Sequence, residues 1–122
     1  MLDKIIKKEL GLEVVKEYRF HPKRRWKFDY CITSHMIAIE VEGGVYSNGR
    51  HTRGSGFIGD MEKYNTATSM GWRLVRILPG KYADALRFVE QILETDKQEA
   101  AKLQDEYTKN IALIKHLTQD GK

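Results

Sequence analysis

Two carboxylates, Asp29 and Glu40, stand in neighbouring runs that alternate along the chain, Trp26 to Thr33 and Met36 to Glu42. In the first run Trp26, Phe28, Tyr30 and Ile32 share one face and Lys27, Asp29, Cys31 and Thr33 the other. In the second, Ile37, Ile39 and Val41 oppose Ala38, Glu40 and Glu42. If Ser34 and His35 form a two-residue hairpin turn, paired positions sum to 69. Tyr30 then faces Ile39, Phe28 faces Val41, and Asp29 falls opposite Glu40, with Cβ atoms about 5 Å apart. Packing a sheet does not call for two acids at that distance, and they repel. A divalent cation between them removes the repulsion and uses both as oxygen ligands. The plainer alternative is a pair of acids solvated on an exposed sheet face.

After Glu42 the alternation gives way to the glycine-rich run GGVYSNGRHTRGSGF. A loop of this length without its own secondary structure is usually functional or disordered. It carries Tyr46, Arg50, His51 and Arg53: glycines let backbone approach a ligand, arginines offer planar forks to phosphates, and a tyrosine offers a face to a base. A flexible basic loop without a partner is the alternative. A second basic cluster, Lys23, Arg24 and Arg25, follows Pro22 in a turn.

Short elements must position these groups. Leu2, Ile5, Ile6 and Leu10 have the spacing of a helix with one buried face, ended by Gly11. Val14 to Phe20 reads as a strand ahead of the two alternating runs. Phe57 to Met70 returns to helical spacing, with Phe57, Met61, Tyr64 and Thr68 on one side and Asp60, Lys63 and Ala67 on another, and Gly71 ends it. Trp72 to Leu78 is a strand, most simply parallel to that of Glu40 because a helical crossover separates them. Pro79-Gly80 breaks the chain before a helix over Tyr82 to Leu93 with Ala85, Leu86, Val89, Ile92 and Leu93 inward. A long polar helix from Asp96 to Gln119 carries a narrow stripe of Leu103, Tyr107, Ile111, Ile114 and Leu117, to dock on the domain or pair with a second copy. The fold class expected is α/β, a mixed four-stranded sheet flanked by helices in the order α-β-β-β-α-β-α, with residues 1–94 as one domain and 95–122 as a helical extension.

The 122 residues suffice for one core, and 41% apolar with 31% charged residues excludes a disordered chain. The lone Cys31 excludes an internal disulfide framework, and no Cys/His cluster offers four zinc ligands. No apolar stretch is long enough to span a membrane, and Met1-Leu2-Asp3-Lys4 does not open a signal peptide, so a cytoplasmic location is expected. The net charge of +4 is unevenly spread: Lys16 to Arg76 holds 11 basic and 6 acidic residues, and the flanks are near balance. A basic middle enclosing close carboxylates points to a polyanionic partner met by a small acidic site.

The order of elements, with Asp29 near the end of one strand and Glu40-Val41-Glu42 on the next, resembles the PD-(D/E)XK, or restriction-endonuclease-like, nuclease superfamily. The runs EYRFHPKRRWKFD, IAIEVEGG, GRHTRG, DMEKYN and GWRLVRI, from Glu17 to Ile77, look like those of small phage-encoded nucleases in it. The layout is also similar to very-short-patch-repair endonucleases. The resemblance covers about half the chain, and it implies a restriction-endonuclease-like core. Glu42 stands where the family has its lysine. Some members supply that lysine from the next helix, and Lys63 in DMEKYN is the candidate. The hairpin register sets Lys27 opposite Glu42, so Glu42 is either a metal ligand or an ion-pair partner. An early helical Glu also reaches the metal in related nucleases, a role open to Glu9 and then to Glu17.

The resemblance implies Mg²⁺-dependent hydrolysis of DNA phosphodiesters, with Mn²⁺ as a substitute, in phage-type recombination, repair or processing, in the host cytoplasm if the gene is phage-borne. Asp29, Glu40 and the Val41 carbonyl would hold the ion, Lys63 would orient water or neutralise the phosphate, and Glu42 could hold a second ion or accept a proton. His51 would be a general acid or base, as in the repair relatives, or a plain phosphate donor. Lys23, Arg24, Arg25, Arg50 and Arg53 would hold the DNA backbone, with Tyr46 beside them. Trp26 belongs to the strand core rather than to a base-stacking wedge. Two other classes are a non-catalytic DNA-binding module on a degenerate nuclease fold and a metal enzyme acting on a smaller phosphate ester.

Overall fold

The structure, a computed structural model, describes residues 1–43 and 55–120. Contacts divide the chain into two compact units, Met1–Val89 and Glu90–Lys122. In the first, α1 (Leu2–Leu10) leads to strands β1 (Val15–Arg19), β2 (Lys27–Ile32) and β3 (Ile37–Val41), then α2 (Ser55–Ser69), β4 (Arg73–Ile77) and the opening turns of α3 (Tyr82–Asp120). The sheet order is β1-β2-β3-β4, with β3 and β4 parallel and the other pairs antiparallel. This is an α/β fold with a mixed four-stranded sheet. Gly11 ends α1 in the left-handed conformation, its N–H donating to the Lys7 carbonyl at 3.0 Å, a geometry a side chain would strain. Among the described residues, no helix is long and apolar enough to cross a membrane.

The β2–β3 register is the expected one, with Tyr30 opposite Ile39, Cys31 opposite Ala38 and Ile32 opposite Ile37. The connection is longer than a two-residue turn. Thr33–His35 form a 3₁₀ turn, and Met36, at φ 52°, donates its N–H back to the Thr33 carbonyl. Pairing stops at Tyr30–Ile39, so Phe28 and Val41 do not extend the ladder.

The even alternation expected along β2 fails at Asp29. Phe28 and Cys31, three residues apart, belong to one core cluster with Phe20, Ala38, Ala67 and Trp72. The Lys63 ammonium of α2 lies 6.0 Å from the Phe28 ring, and Cys31 pairs with Ala38, so both residues face the α2 side. The pleat therefore changes phase between them. Glu17, across from this point on β1, has φ 53°, a left-handed conformation that costs a non-glycine residue about 1 kcal/mol. Tyr18 and Phe20, beyond it, then join Phe28 and Trp72: Phe20 stacks on Phe28 at 4.1 Å, and Phe28 meets Trp72 edge-on at 5.2 Å. Trp26 packs against this cluster as a core residue. Ile32, Ile37, Ile39, Val75 and Ile77 are buried on the other face of the sheet. Leu2 and Ile6 of α1 and Ala85 and Val89 of α3 supply further buried apolar side chains of this unit.

Burial settles which face of α2 is inward, and one helix expectation is corrected. Ala67 is buried and Lys63 and Tyr64 half-buried, whereas Phe57 and Met61 are exposed. The inward side of α2 thus includes Lys63 and Ala67, because the Lys63 charge is neutralised inside (below). The two helices expected over Tyr82–Leu93 and Asp96–Gln119 are one 39-residue helix. Glu94-Thr95-Asp96 contains no glycine or proline, and the Thr95 hydroxyl donates to the Gln91 carbonyl within the helix instead of capping a new one. In the second unit Leu103, Tyr107, Ile114 and Leu117 are exposed.

Candidate active site

The change of pleat at Asp29 frees its backbone for other partners. The Asp29 N–H donates to Glu40 Oε2 at 3.1 Å, and Asp29 Oδ2 accepts the Val41 N–H at 2.7 Å. The two acids are thus locked together at the place the register arithmetic puts them. Glu40 is 4% exposed, and Lys63 of α2 donates to its Oε1 at 2.5 Å with its own side chain only 15% exposed. The ammonium is flanked by the Phe28 and Tyr64 rings, 6.0 and 5.3 Å from its nitrogen. Burial pushes the Glu40 carboxyl up from 4.5 to about 7; the Lys63 ammonium opposes the rise and the Asp29 carboxylate adds to it.

An open cleft of about 410 Å³ adjoins this cluster, lined by Lys16, Glu17, Asp29, Tyr30 and Val41. Burial raises the Tyr30 phenol, with Tyr82, Asp3, Asp29 and Glu17 close enough to reinforce the shift. Of the two glutamates considered as a further ligand, Glu17 lines this cleft with Asp29, and Glu9 is an exposed residue of α1. Among the described residues, no three His, Cys, Asp or Glu side chains converge as a preformed metal cage. The donors at hand are two carboxylates and backbone oxygen, which suit Mg²⁺, an ion commonly held by one or two carboxylates while keeping several waters. A cation already sits on Glu40 in the form of the Lys63 ammonium. The residues present fit such an ion.

Glu42 does not pair with Lys27. Lys27 stands opposite Arg19 in the β1–β2 ladder, and Glu42 Oε1 accepts from Arg76 Nε at 2.5 Å. The parallel placement of β4 beside β3 brings Arg76 there. The bond to Glu42 holds the Arg76 guanidinium more firmly protonated, and the guanidinium carbon lies 4.5 Å from the Tyr64 ring centre.

In the basic turn Arg24 is already engaged, its guanidinium 4.1 Å from the Trp26 ring centre and 3.4 Å from Glu62 Oε1. Lys23 and Arg25 are exposed. The turn is shaped by His21, which sequence reasoning passed over: its Nδ1 accepts the N–H groups of Lys23 at 3.1 Å and Arg24 at 2.9 Å. A His-Pro pair opening a basic run is the signal that could have found it. Tyr46, Arg50, His51 and Arg53 lie outside the described residues. Cys31 is buried, its thiol pushed up to about 12, which leaves it unreactive. No protein-family model, curated protein or solved structure matches this chain.

Proposed function

We propose that this protein is a metal-dependent endodeoxyribonuclease on a restriction-endonuclease-like core. One observation carries the reading: Asp29, Glu40 and Lys63, from β2, β3 and α2, converge within hydrogen-bond distance of one another or of the adjoining backbone. This set corresponds to the Asp, Glu and displaced Lys of the PD-(D/E)XK pattern.

Asp29, Glu40 and the Val41 carbonyl are the residues to hold Mg²⁺ or Mn²⁺, which when bound supplies a water of lowered pKa and stabilises charge on the phosphate. Lys63, held by Glu40 between two rings, is placed to orient the attacking water or to neutralise the phosphate. Glu42 is occupied by Arg76 and is left out of the ligand set. Lys23 and Arg25, with Arg50, His51, Arg53 and Tyr46 from the glycine-rich segment, are assigned to the DNA backbone. His51 is also a candidate general acid or base. The substrates proposed are those of phage-type recombination, repair or processing, four-way junctions included, in the cytoplasm.

A second copy is the proposed partner of the exposed α3 stripe. Residues 90–106 hold six acidic and two basic side chains, and 107–120 hold one acidic and two basic. Antiparallel pairing of two such helices sets unlike charges opposite each other.

The function is tested by incubating the full chain with Mg²⁺ or Mn²⁺ and linear duplex, single-stranded, flap and four-way-junction DNA. Cleavage of at least one is expected. Binding in EDTA with no cleavage under any divalent ion would identify a non-catalytic DNA-binding module, and neither binding nor cleavage would remove DNA as the substrate.

A further inference from the structure

Glu42 lies just past the end of β3, two residues beyond Glu40, and its N–H still donates to the Ile77 carbonyl of β4 at 2.8 Å, which continues the ladder geometry and keeps both glutamates on one side of the sheet. In the parallel ladder it is Glu40, not Glu42, that stands opposite Arg76. The cations are nevertheless shared out the other way. Arg76 bonds Glu42, and Lys63 reaches across from α2 to take Glu40. Tyr64, the residue after Lys63, touches both cations: its ring centre lies 4.5 Å from the Arg76 guanidinium carbon and 5.3 Å from the Lys63 nitrogen. The phenol, raised by burial and by the nearby Glu40 and Glu42 carboxylates, stays neutral and keeps the ring a face for cations.

Arginine is the stronger competitor for a carboxylate, because its planar fork can occupy both oxygens at once. The Arg76 side chain is half exposed, and its ladder position brings it beside Glu40. Seated on Glu40, it would displace Lys63 and close that carboxylate to a divalent ion.

We propose that Glu42 and the Tyr64 ring are positioning residues whose task is to hold Arg76 away from Glu40, leaving Glu40 to Lys63 and to an incoming divalent ion. The divalent-ion part rests on the proposed nuclease reading. The sharing of cations does not, and it can be measured without any DNA. Two other roles for Glu42 make different forecasts. An idle surface ion pair leaves Lys63 indifferent to the loss of Glu42. A metal ligand leaves a Glu42 variant beyond repair by any change at Arg76.

The experiment is a pulse of acetic anhydride on the folded full chain, with acetylation of Lys63 read by peptide mass spectrometry against Lys97. Lys63 is expected to be slow in the wild type. In Glu42→Gln, Arg76 moves onto Glu40 and Lys63 acetylation rises about tenfold, the factor carried by one charge-assisted hydrogen bond. In Glu42→Gln/Arg76→Gln the intruder is gone and Lys63 returns to its slow rate. Tyr64→Ala is a second, independent perturbation and should also raise Lys63 labelling, again reversed by Arg76→Gln, whereas Tyr64→Phe keeps the ring face and the slow rate. Thermal melts confirm that each variant is folded. Unchanged Lys63 labelling in both Glu42→Gln and Tyr64→Ala overturns the proposal, as does labelling that stays high once Arg76 is removed. If DNA is never cut but these shifts occur, the nuclease reading fails and the sharing of cations stands.

Discussion

Glu40 gives the fold a pH dependence that a single substitution should remove. Its carboxyl is raised from 4.5 to about 7 in the folded chain, chiefly by burial. Between those values the unfolded chain has released the proton and the folded chain still holds it, so stability falls as pH rises. The contribution is fully present below about 4.5 and lost as pH passes 7. At 1.36 kcal/mol per pH unit the interval corresponds to about 3 kcal/mol. Glu40→Gln replaces the carboxyl by a neutral group of the same shape that still hydrogen-bonds to the Asp29 N–H and cannot ionise. The difference in unfolding free energy, Glu40→Gln minus wild type, should therefore climb by about 3 kcal/mol from pH 4.5 to pH 7.5 and then level off. Urea denaturation at half-unit steps of pH, followed by circular dichroism, measures it, and subtraction cancels the other titrating groups. A difference that is flat across this window, or that falls with pH, would refute the placement of Glu40 as a buried acid whose burial outweighs its ion pair with Lys63.

Phe28 is fully buried, stacked on Phe20 and edge-on to Trp72, so Phe28→Ala should cost about 3–5 kcal/mol in urea denaturation; a loss below about 1 kcal/mol contradicts the phase change that puts it on the α2 side. Arg25→Ala should weaken DNA binding at all sequences alike and reduce the slope of log K against log salt by about 1, measured by fluorescence anisotropy, with no change in slope if the basic turn faces away from DNA. Leu103→Asp with Ile114→Asp should convert a dimer to a monomer in sedimentation velocity, and a wild type that already sediments as a monomer at micromolar concentration removes the second copy as the partner of the stripe.

How far these features could be read from sequence depended on what held each one. The β2–β3 register was legible because alternating apolar residues permit one pairing, and it placed Asp29 beside Glu40 correctly. The change of pleat was not legible, because it is made by the Asp29 N–H turning to a carboxylate and by a left-handed backbone at Glu17, and glutamate is not a residue that announces that conformation. Lys63 was legible only through the family resemblance. Helical periodicity alone sets it apart from the apolar residues of α2, and its half-burial depends on a carboxylate from a distant strand. The Glu42–Arg76 pair needed the parallel β3–β4 ladder, whose register no hairpin turn dictates. The unbroken α3 shows the converse: a polar Glu-Thr-Asp step is no helix stop when glycine and proline are absent.

Asp29, Glu40 and Lys63 are proposed to form one centre for phosphodiester cleavage. The most direct measurement is single-turnover cleavage, in Mg²⁺, of whichever DNA the wild type cuts, compared across Asp29→Asn, Glu40→Gln and Lys63→Gln with DNA affinity measured in parallel. Each variant is expected to bind that DNA within a few-fold of wild type and to cut it at least about a hundredfold more slowly, the scale of losing a group that acts in the transition state. Variants that cut at the wild-type rate would refute that shared role.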